Sequence, residues 1–390
     1  LGELYAQQPV LRFARGATPD ITRERIADVL TPGLAVVTFM MTEERGWTII
    51  VKAGAREPVV TVREISRSTN DLLELTRTFA RQVATRDLAF AGTARTLYDA
   101  LIGPNDSVLA GATQVVIVPD GPLGNVPFQA LRTPRNKFLI EEHAVSYAPS
   151  LAALTALQAR ARTQASAPLS IVAFGDPDTG IPDGSPGAVA ASRRGLATGR
   201  LPEAAREVRA IGALYGGPRS EVLVAGQATE AAFRARTASA SVLHIATHGV
   251  LDNENPMYSH LLLAPTPGAV AADHTTDGRL EAWEVLELGV KARLVVLSAC
   301  QTAGGADFGE GIVGLSWSLF AAGASTAVVS QWEVDSASTT SLMIAFHKQL
   351  LSASHPSPAQ ALRQASLSLL ASPEFRHPFY WAGFISVGAN

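Results

Sequence analysis

Two apolar runs constrain this chain more than any other feature. They are Val242-Leu243-His244-Ile245-Ala246-Thr247-His248-Gly249 and Leu294-Val295-Val296-Leu297-Ser298-Ala299-Cys300. Runs of Val, Leu and Ile without polar alternation mark strands buried on both faces of a parallel sheet. The first run ends in a His-Gly pair, and the second ends 52 positions later in Cys300, the only cysteine of the chain. Open α/β sheets bind ligands at the carboxyl ends of their strands. The two runs therefore bring an imidazole and a thiol to ends that can share one crevice.

The surrounding pattern supports that sheet. From residue 201 onward, helices are predicted at 202–215, 228–236, 281–288, 311–322, 337–351 and 358–371. Strands are predicted at 221–225, 242–247, 260–264, 293–299, 325–331 and 380–387. Such alternation implies a mostly parallel sheet flanked by helices. Earlier in the chain, residues 34–63 read as an antiparallel meander of three strands, with turn signals at Glu43-Glu44-Arg45-Gly46 and Gly54-Ala55-Arg56-Glu57-Pro58. Helical spacing covers 69–86, 92–103 and 150–162. Strands are expected at 114–118 and 169–174, and as a pair at Phe138-Leu139-Ile140 and Ala144-Val145-Ser146-Tyr147. Residues 175–200, rich in Gly, Pro, Ser and Ala, read as a long exposed loop open to cleavage or a partner. The expected organisation is an amino-terminal α/β region at 1–165, a degenerate second half of the same type, followed by an α/β region at 166–390 that holds both His248 and Cys300.

Composition excludes several classes. With 47% hydrophobic and 17% charged residues, the 390-residue chain is globular, with two domains expected. A formal net charge of -3 gives no reason to expect nucleic acid or an anionic membrane as a partner. No apolar run reaches 18 residues. One cysteine forms no internal disulfide, which fits a reducing, cytoplasmic setting. The chain starts at Leu1 with neither a methionine nor a signal-peptide pattern, so a fragment or processed piece with upstream modules is expected.

A cysteine nucleophile needs thiolate character and a proton partner, and His248 is the candidate partner. The N–H groups of Gly249 and Cys300 are candidate oxyanion donors. Other readings weigh against this one. A lone cysteine in an apolar run is more often a small core residue. His244 and His248 have the i, i+4 spacing of a metal pair, but on a strand, and without the glutamate of His-Glu-x-x-His, so neither a metal nor another cofactor is expected. His244 is expected to be a packed strand residue. No Gly-x-Ser-x-Gly elbow is present. Gly309-x-Gly311-x-x-Gly314 does not directly follow a strand and is read as chance.

The residues also carry a family resemblance. His244-Ile245-Ala246-Thr247-His248-Gly249, followed by Asn255-Pro256, resembles the histidine block of CHAT domains, and Leu297-Ser298-Ala299-Cys300-Gln301-Thr302 resembles their cysteine block. Ser330-Gln331-Trp332-Glu333-Val334, His377-Pro378-Phe379-Tyr380-Trp381-Ala382 and, upstream, Val118-Pro119-Asp120-Gly121-Pro122-Leu123 match in order. The resemblance covers most of 90–389. It implies a caspase–hemoglobinase-like fold related to separase, and a His248/Cys300 dyad in a cysteine endopeptidase that acts on a protein or peptide. It also implies an upstream tetratricopeptide-repeat region or regulatory protein as partner. Many relatives carry Trp-x-Val-x-Asp where this chain has Trp332-Glu333-Val334-Asp335-Ser336, so a pocket acid for a basic P1 residue is in question. Trp332, Glu333, Asp335 and Ser336 are candidate substrate-binding residues. The alternative is a silent or latent scaffold, switched by a partner or by cleavage in the 175–200 loop.

Overall fold

The structure is a computed structural model. It describes residues 22–164, 168–180, 199–252, 254–268, 276–299 and 311–389. The chain forms two compact units, one of residues 1–163 with 356–390, the other of residues 164–355. The carboxyl-terminal segment thus returns to the amino-terminal unit.

In that unit α1 (Arg23–Val29) precedes the hairpins β1 (Leu34–Met41), β2 (Gly46–Lys52) and β3 (Val59–Glu64). These three strands are antiparallel, as the turn signals predict. After α2 (Thr69–Ala84) and α3 (Phe90–Leu101), β4 (Gln114–Val118) and β5 (Ala144–Tyr147) add in parallel. The strand order is β3-β2-β1-β4-β5-β14, with β14 (Phe384–Gly388) parallel to β5. Leu72, Phe79, Leu97, Val115, Ile117 and Phe128 are buried in its core. The returning segment is fastened by polar bonds as well as by packing. Gln129 Nε2 donates to the Ala382 carbonyl at 2.6 Å. From α10 (Pro358–Ala371), Arg363 donates to the carbonyls of Ile140 at 2.7 Å and Glu141 at 2.6 Å.

Two sequence expectations fail here. Phe138-Leu139-Ile140 is not a strand: Leu139–Glu142 is a helical turn, opened by Glu141 Oε2 accepting the Phe138 N–H at 2.6 Å. A run of three apolar residues has no period, and the local acceptor decides. The strand expected at 380–387 begins only at Phe384, because Pro378–Trp381 is a helical turn with proline at its first position.

The second unit is a five-stranded, wholly parallel sheet in the order β13-β12-β8-β6-β7. Its strands are β6 (Ile171–Pro177), β7 (Ser220–Ala225), β8 (Val242–Ala246), β12 (Leu294–Leu297) and β13 (Thr326–Ser330). Its helices are α5 (Pro202–Tyr215), α6 (Glu230–Arg236), α7 (Ala282–Leu286), α8 (Gly311–Ala322) and α9 (Ser336–Leu350), while α4 (Leu151–Gln164) belongs to the first unit up to Thr163. β8 and β12, the two founding apolar runs, are adjacent and fully buried. Between them β9 (Gly249–Val250), β10 (His260–Leu262) and β11 (Arg279–Glu281) form a small antiparallel sheet. The predicted strand at 260–264 is therefore real but outside the parallel sheet. A Cβ on Gly175 would lie 2.6 Å from Val208 and 2.8 Å from the Ala204 carbonyl, so glycine is what lets α5 lie this close to β6.

Candidate functional site

β8 runs into Thr247 and His248 at its carboxyl end. The His248 ring is 7% exposed, and its Nε2 lies 2.7 Å from the carbonyl oxygen of Gly199. A carbonyl only accepts, so Nε2 carries the proton. Neutral His248 then presents the lone pair of Nδ1 as its basic site.

Gly199 is itself held in place. Asp176, at the end of β6, accepts from Arg200 Nε at 2.9 Å, Arg200 Nη2 at 2.5 Å and the Leu201 N–H at 2.6 Å. Asp176 is 3% exposed and adopts a left-handed backbone, φ 47°. Burial works to raise its pKa, but the Arg200 and Leu201 hydrogen bonds outweigh it and hold the carboxyl below its ordinary value. The strap that supplies the Gly199 carbonyl is thereby clamped to β6.

Behind the strand lies a network that sequence reasoning did not assemble. Glu207 Oε1 lies 2.8 Å from His244 Nε2, His244 Nδ1 lies 3.1 Å from His347 Nε2, and His347 Nδ1 lies 2.9 Å from the Tyr215 hydroxyl. All four residues are 2% exposed or less. Burial, and then the neighbouring His244, push His347 well below the ordinary histidine value, so it is neutral. A carboxylate at Glu207 only accepts. Two orderings satisfy the row with neutral His347: Tyr215 donates to His347, His347 to His244 and His244 to Glu207, or His244 donates from both nitrogens, to Glu207 and to His347, and His347 donates to Tyr215. His244 is the packed strand residue expected, but it packs by hydrogen bonding. The row ties α5 and α9 to the strand that carries His248. The available signal was Glu207 standing on the apolar face of α5 with Ile211 and Tyr215 at i+4 and i+8.

Gly249 sits at the edge of the small antiparallel sheet. Leu262 N–H donates to the His248 carbonyl at 2.9 Å, and Gly249 lies opposite Leu261. In an antiparallel pair, alternate residues face the partner. The Gly249 N–H therefore points away from β10. Thr247 turns the other way, its hydroxyl donating to the Leu262 carbonyl.

Cys300, with Gln301 and the glycines that follow, lies outside the described residues. The path to it is described as far as Ala299. The Ser298 N–H donates to the Ile245 carbonyl at 2.8 Å, and the Ser330 hydroxyl donates to the Ala299 carbonyl at 2.6 Å. Most of the 175–200 loop, at 181–198, is likewise outside.

The four pocket candidates separate. Trp332 is buried, and Glu333 and Ser336 are exposed. Asp335 is the N-cap of α9: its carboxylate accepts the Ser338 N–H at 2.9 Å. An aspartate before an apolar helix is a cap signature legible in sequence. Among the described residues, no group of three or more His, Cys, Asp or Glu could hold a metal, and no helix is long and apolar enough to cross a membrane.

The model of the CHAT domain matches residues 91–389. The chain belongs to the CHAT domain family. This CHAT chain is 27% identical over 336 residues to human Tetratricopeptide repeat protein 28, and 28% identical over 340 residues to the mouse protein. Each alignment covers 76% of this chain and 13% of the relative, so the chain spans about an eighth of those proteins' length. Among solved structures it superposes on the Saccharomyces cerevisiae separase–securin complex with TM-score 0.59 and 9% identity, covering 94% of this chain and 30% of that one. That likeness is one of fold: a mostly parallel, helix-flanked α/β sheet of the caspase-like kind.

Proposed function

We propose that this CHAT chain is a cysteine endopeptidase with Cys300 as nucleophile and His248 as general acid and base. The observation that carries the reading is strand register. Leu297 pairs with Ile245, an offset of 52 positions, and the same offset separates Cys300 from His248. The parallel register of β12 on β8, described as far as Leu297 and Ile245, is the one the reading requires.

In the proposed reaction, Nδ1 of His248 takes the Cys300 thiol proton, and the thiolate attacks the substrate carbonyl carbon. The Gly249 and Cys300 N–H groups receive the developing oxyanion. The imidazolium then protonates the leaving amine, and water hydrolyses the thioester. The Gly199 carbonyl accepts the Nε2 proton throughout and keeps the ring oriented. Asp335 is committed to capping α9 and Glu333 is exposed, so a neutral P1 residue is the proposed preference. The amino-terminal unit would then be the half that carries no dyad. The tetratricopeptide-repeat proteins among the relatives support a protein or peptide substrate and an upstream repeat partner.

The burial of His248 favours a second reading, a latent form opened by a partner or by cleavage within 175–200. One experiment separates the two: a P1-scanned fluorogenic peptide library, cleaved by wild type before and after limited proteolysis, and by Cys300→Ala. Cleavage only by wild type establishes the peptidase, and cleavage only after proteolysis establishes latency. Cleavage by Cys300→Ala would sink both readings, and cleavage by neither protein in either condition would sink the first and leave only a form opened by a partner.

A further inference from the structure

Strand β3 is an edge: among the described residues it pairs only with β2. Its Val59, Val60 and Val62 are 54%, 57% and 56% exposed, three β-branched side chains left in water on both faces of one short strand. An apolar edge of this kind is a template for another strand. The free hydrogen-bonding groups can be assigned. Ile65 N–H donates to the Gly46 carbonyl at 2.8 Å, so odd-numbered residues of β3 face β2. The N–H and C=O of Val60 and Val62 therefore face outward.

The flanking charges repeat. Arg56-Glu57 precedes the apolar stretch Pro58-Val59-Val60-Thr61-Val62, and Arg63-Glu64 follows it. We propose that β3 pairs antiparallel with β3 of a second copy of this chain, about a twofold axis through Val60, making a symmetric dimer.

In that register Val60 meets the second copy's Val60, with both pairs of outward backbone groups bonded. Val59 meets Thr61, and Val62 meets Pro58. Arg63 stands opposite Glu57, and Glu64 opposite Arg56, at both ends of the pair. Apolar contacts fill the middle, and opposite charges close the rim on both faces. Pro58 offers a carbonyl to the second copy's Val62 N–H and has no N–H of its own, so the ladder stops there. A parallel pairing would set Arg63 beside Arg63. A shift of the axis to Thr61 would set Arg63 beside Val59. The charge pattern selects the one register that also aligns the outward backbone groups. The present partners of two of these charges are weak competitors. Glu57 lies 3.4 Å from Arg23 and Glu64 lies 3.7 Å from Arg45, with every side chain more than half exposed.

The test is sedimentation velocity of the 390-residue chain from roughly 1 to 100 µM, the range in which a small interface associates. Wild type is expected to dimerise with rising concentration. Val60→Lys, which sets two ammonium groups together on the axis, is expected to be monomeric throughout with an unchanged melting temperature. Arg63→Glu is expected to weaken the dimer roughly tenfold by placing like charges at two symmetric positions. Adding Glu57→Arg to Arg63→Glu is expected to restore it. A wild-type chain monomeric at every concentration would overturn the proposal, and would make Pro58 and the flanking charges guards of the edge. A dimer that survives Val60→Lys, or a double swap that rescues nothing, would overturn it equally.

Discussion

His248 Nε2 and the Gly199 carbonyl oxygen stand 2.7 Å apart, across 49 positions of sequence. That contact fixes Nε2 as the protonated nitrogen of the imidazole and leaves the Nδ1 lone pair for the proposed role of base. If the proposed dyad acts as a unit, His248→Ala and Cys300→Ala each lower peptide cleavage by about 10³-fold or more, and the double variant by little beyond either. Single-turnover cleavage by the three variants checks this. A His248→Ala chain with near-wild-type rate would remove the histidine from the mechanism.

Asp176 clamps the strap that carries Gly199. Its folded pKa is depressed below the ordinary 3.8, so its stabilising contribution is fully present above that value and is lost as pH falls through the folded pKa. Asp176→Asn is expected to cost about 1–2 kcal/mol near neutral pH, on the scale of a lost charge-assisted hydrogen bond shared with a half-exposed arginine. The cost should shrink as pH drops below about 4, and urea unfolding of both chains at several pH values measures it.

Glu230 works in the opposite sense. It is fully buried, bonded to Arg234 Nε at 2.9 Å and to the Gly278 N–H at 3.2 Å. Burial raises its pKa, Arg234 opposes the shift, and nearby Glu284 adds to it, leaving Glu230 raised from 4.5 to about 7. A raised folded pKa means stability that is complete below 4.5 and lost as pH rises through about 7. Glu230→Gln is expected to flatten the fall in stability between those values, by up to about 3 kcal/mol. Thermal melts in buffers spanning that range give the answer, and parallel curves for the two chains would refute it.

Glu207→Ala removes the acceptor at the end of the buried row and leaves the His244 N–H without a partner. The expected cost is about 2–4 kcal/mol. Glu207→Gln keeps a side-chain oxygen in place and should cost less. Equal denaturant midpoints for wild type and Glu207→Ala would mean that the row contributes nothing to holding β8.

Expectation and structure meet where local chemistry is decisive. The Val/Ile/Leu-rich runs predicted as buried strands hold the strands 242–246 and 294–297, and these are adjacent. Helix ends followed their caps, as at Ser357, whose hydroxyl accepts the Gln360 N–H ahead of α10. Leu139–Glu142 and Pro378–Trp381 were misjudged because four residues have too little period to separate a turn from a strand. Asp335, a candidate substrate-binding residue by sequence, is also the N-cap of α9.

By itself, the amino-acid sequence determined the alternating elements and the parallel sheet they require, and it supplied His248 and Cys300 as the proposed pair, because backbone propensity and apolar period are local properties. Only the tertiary structure decided that Gly199 orients His248, that Asp176 clamps Gly199, and that Glu207, His244, His347 and Tyr215 form one row. Buried hydrogen bonds join groups far apart in sequence, and no local pattern records which polar group will meet which once the helices have packed on the sheet.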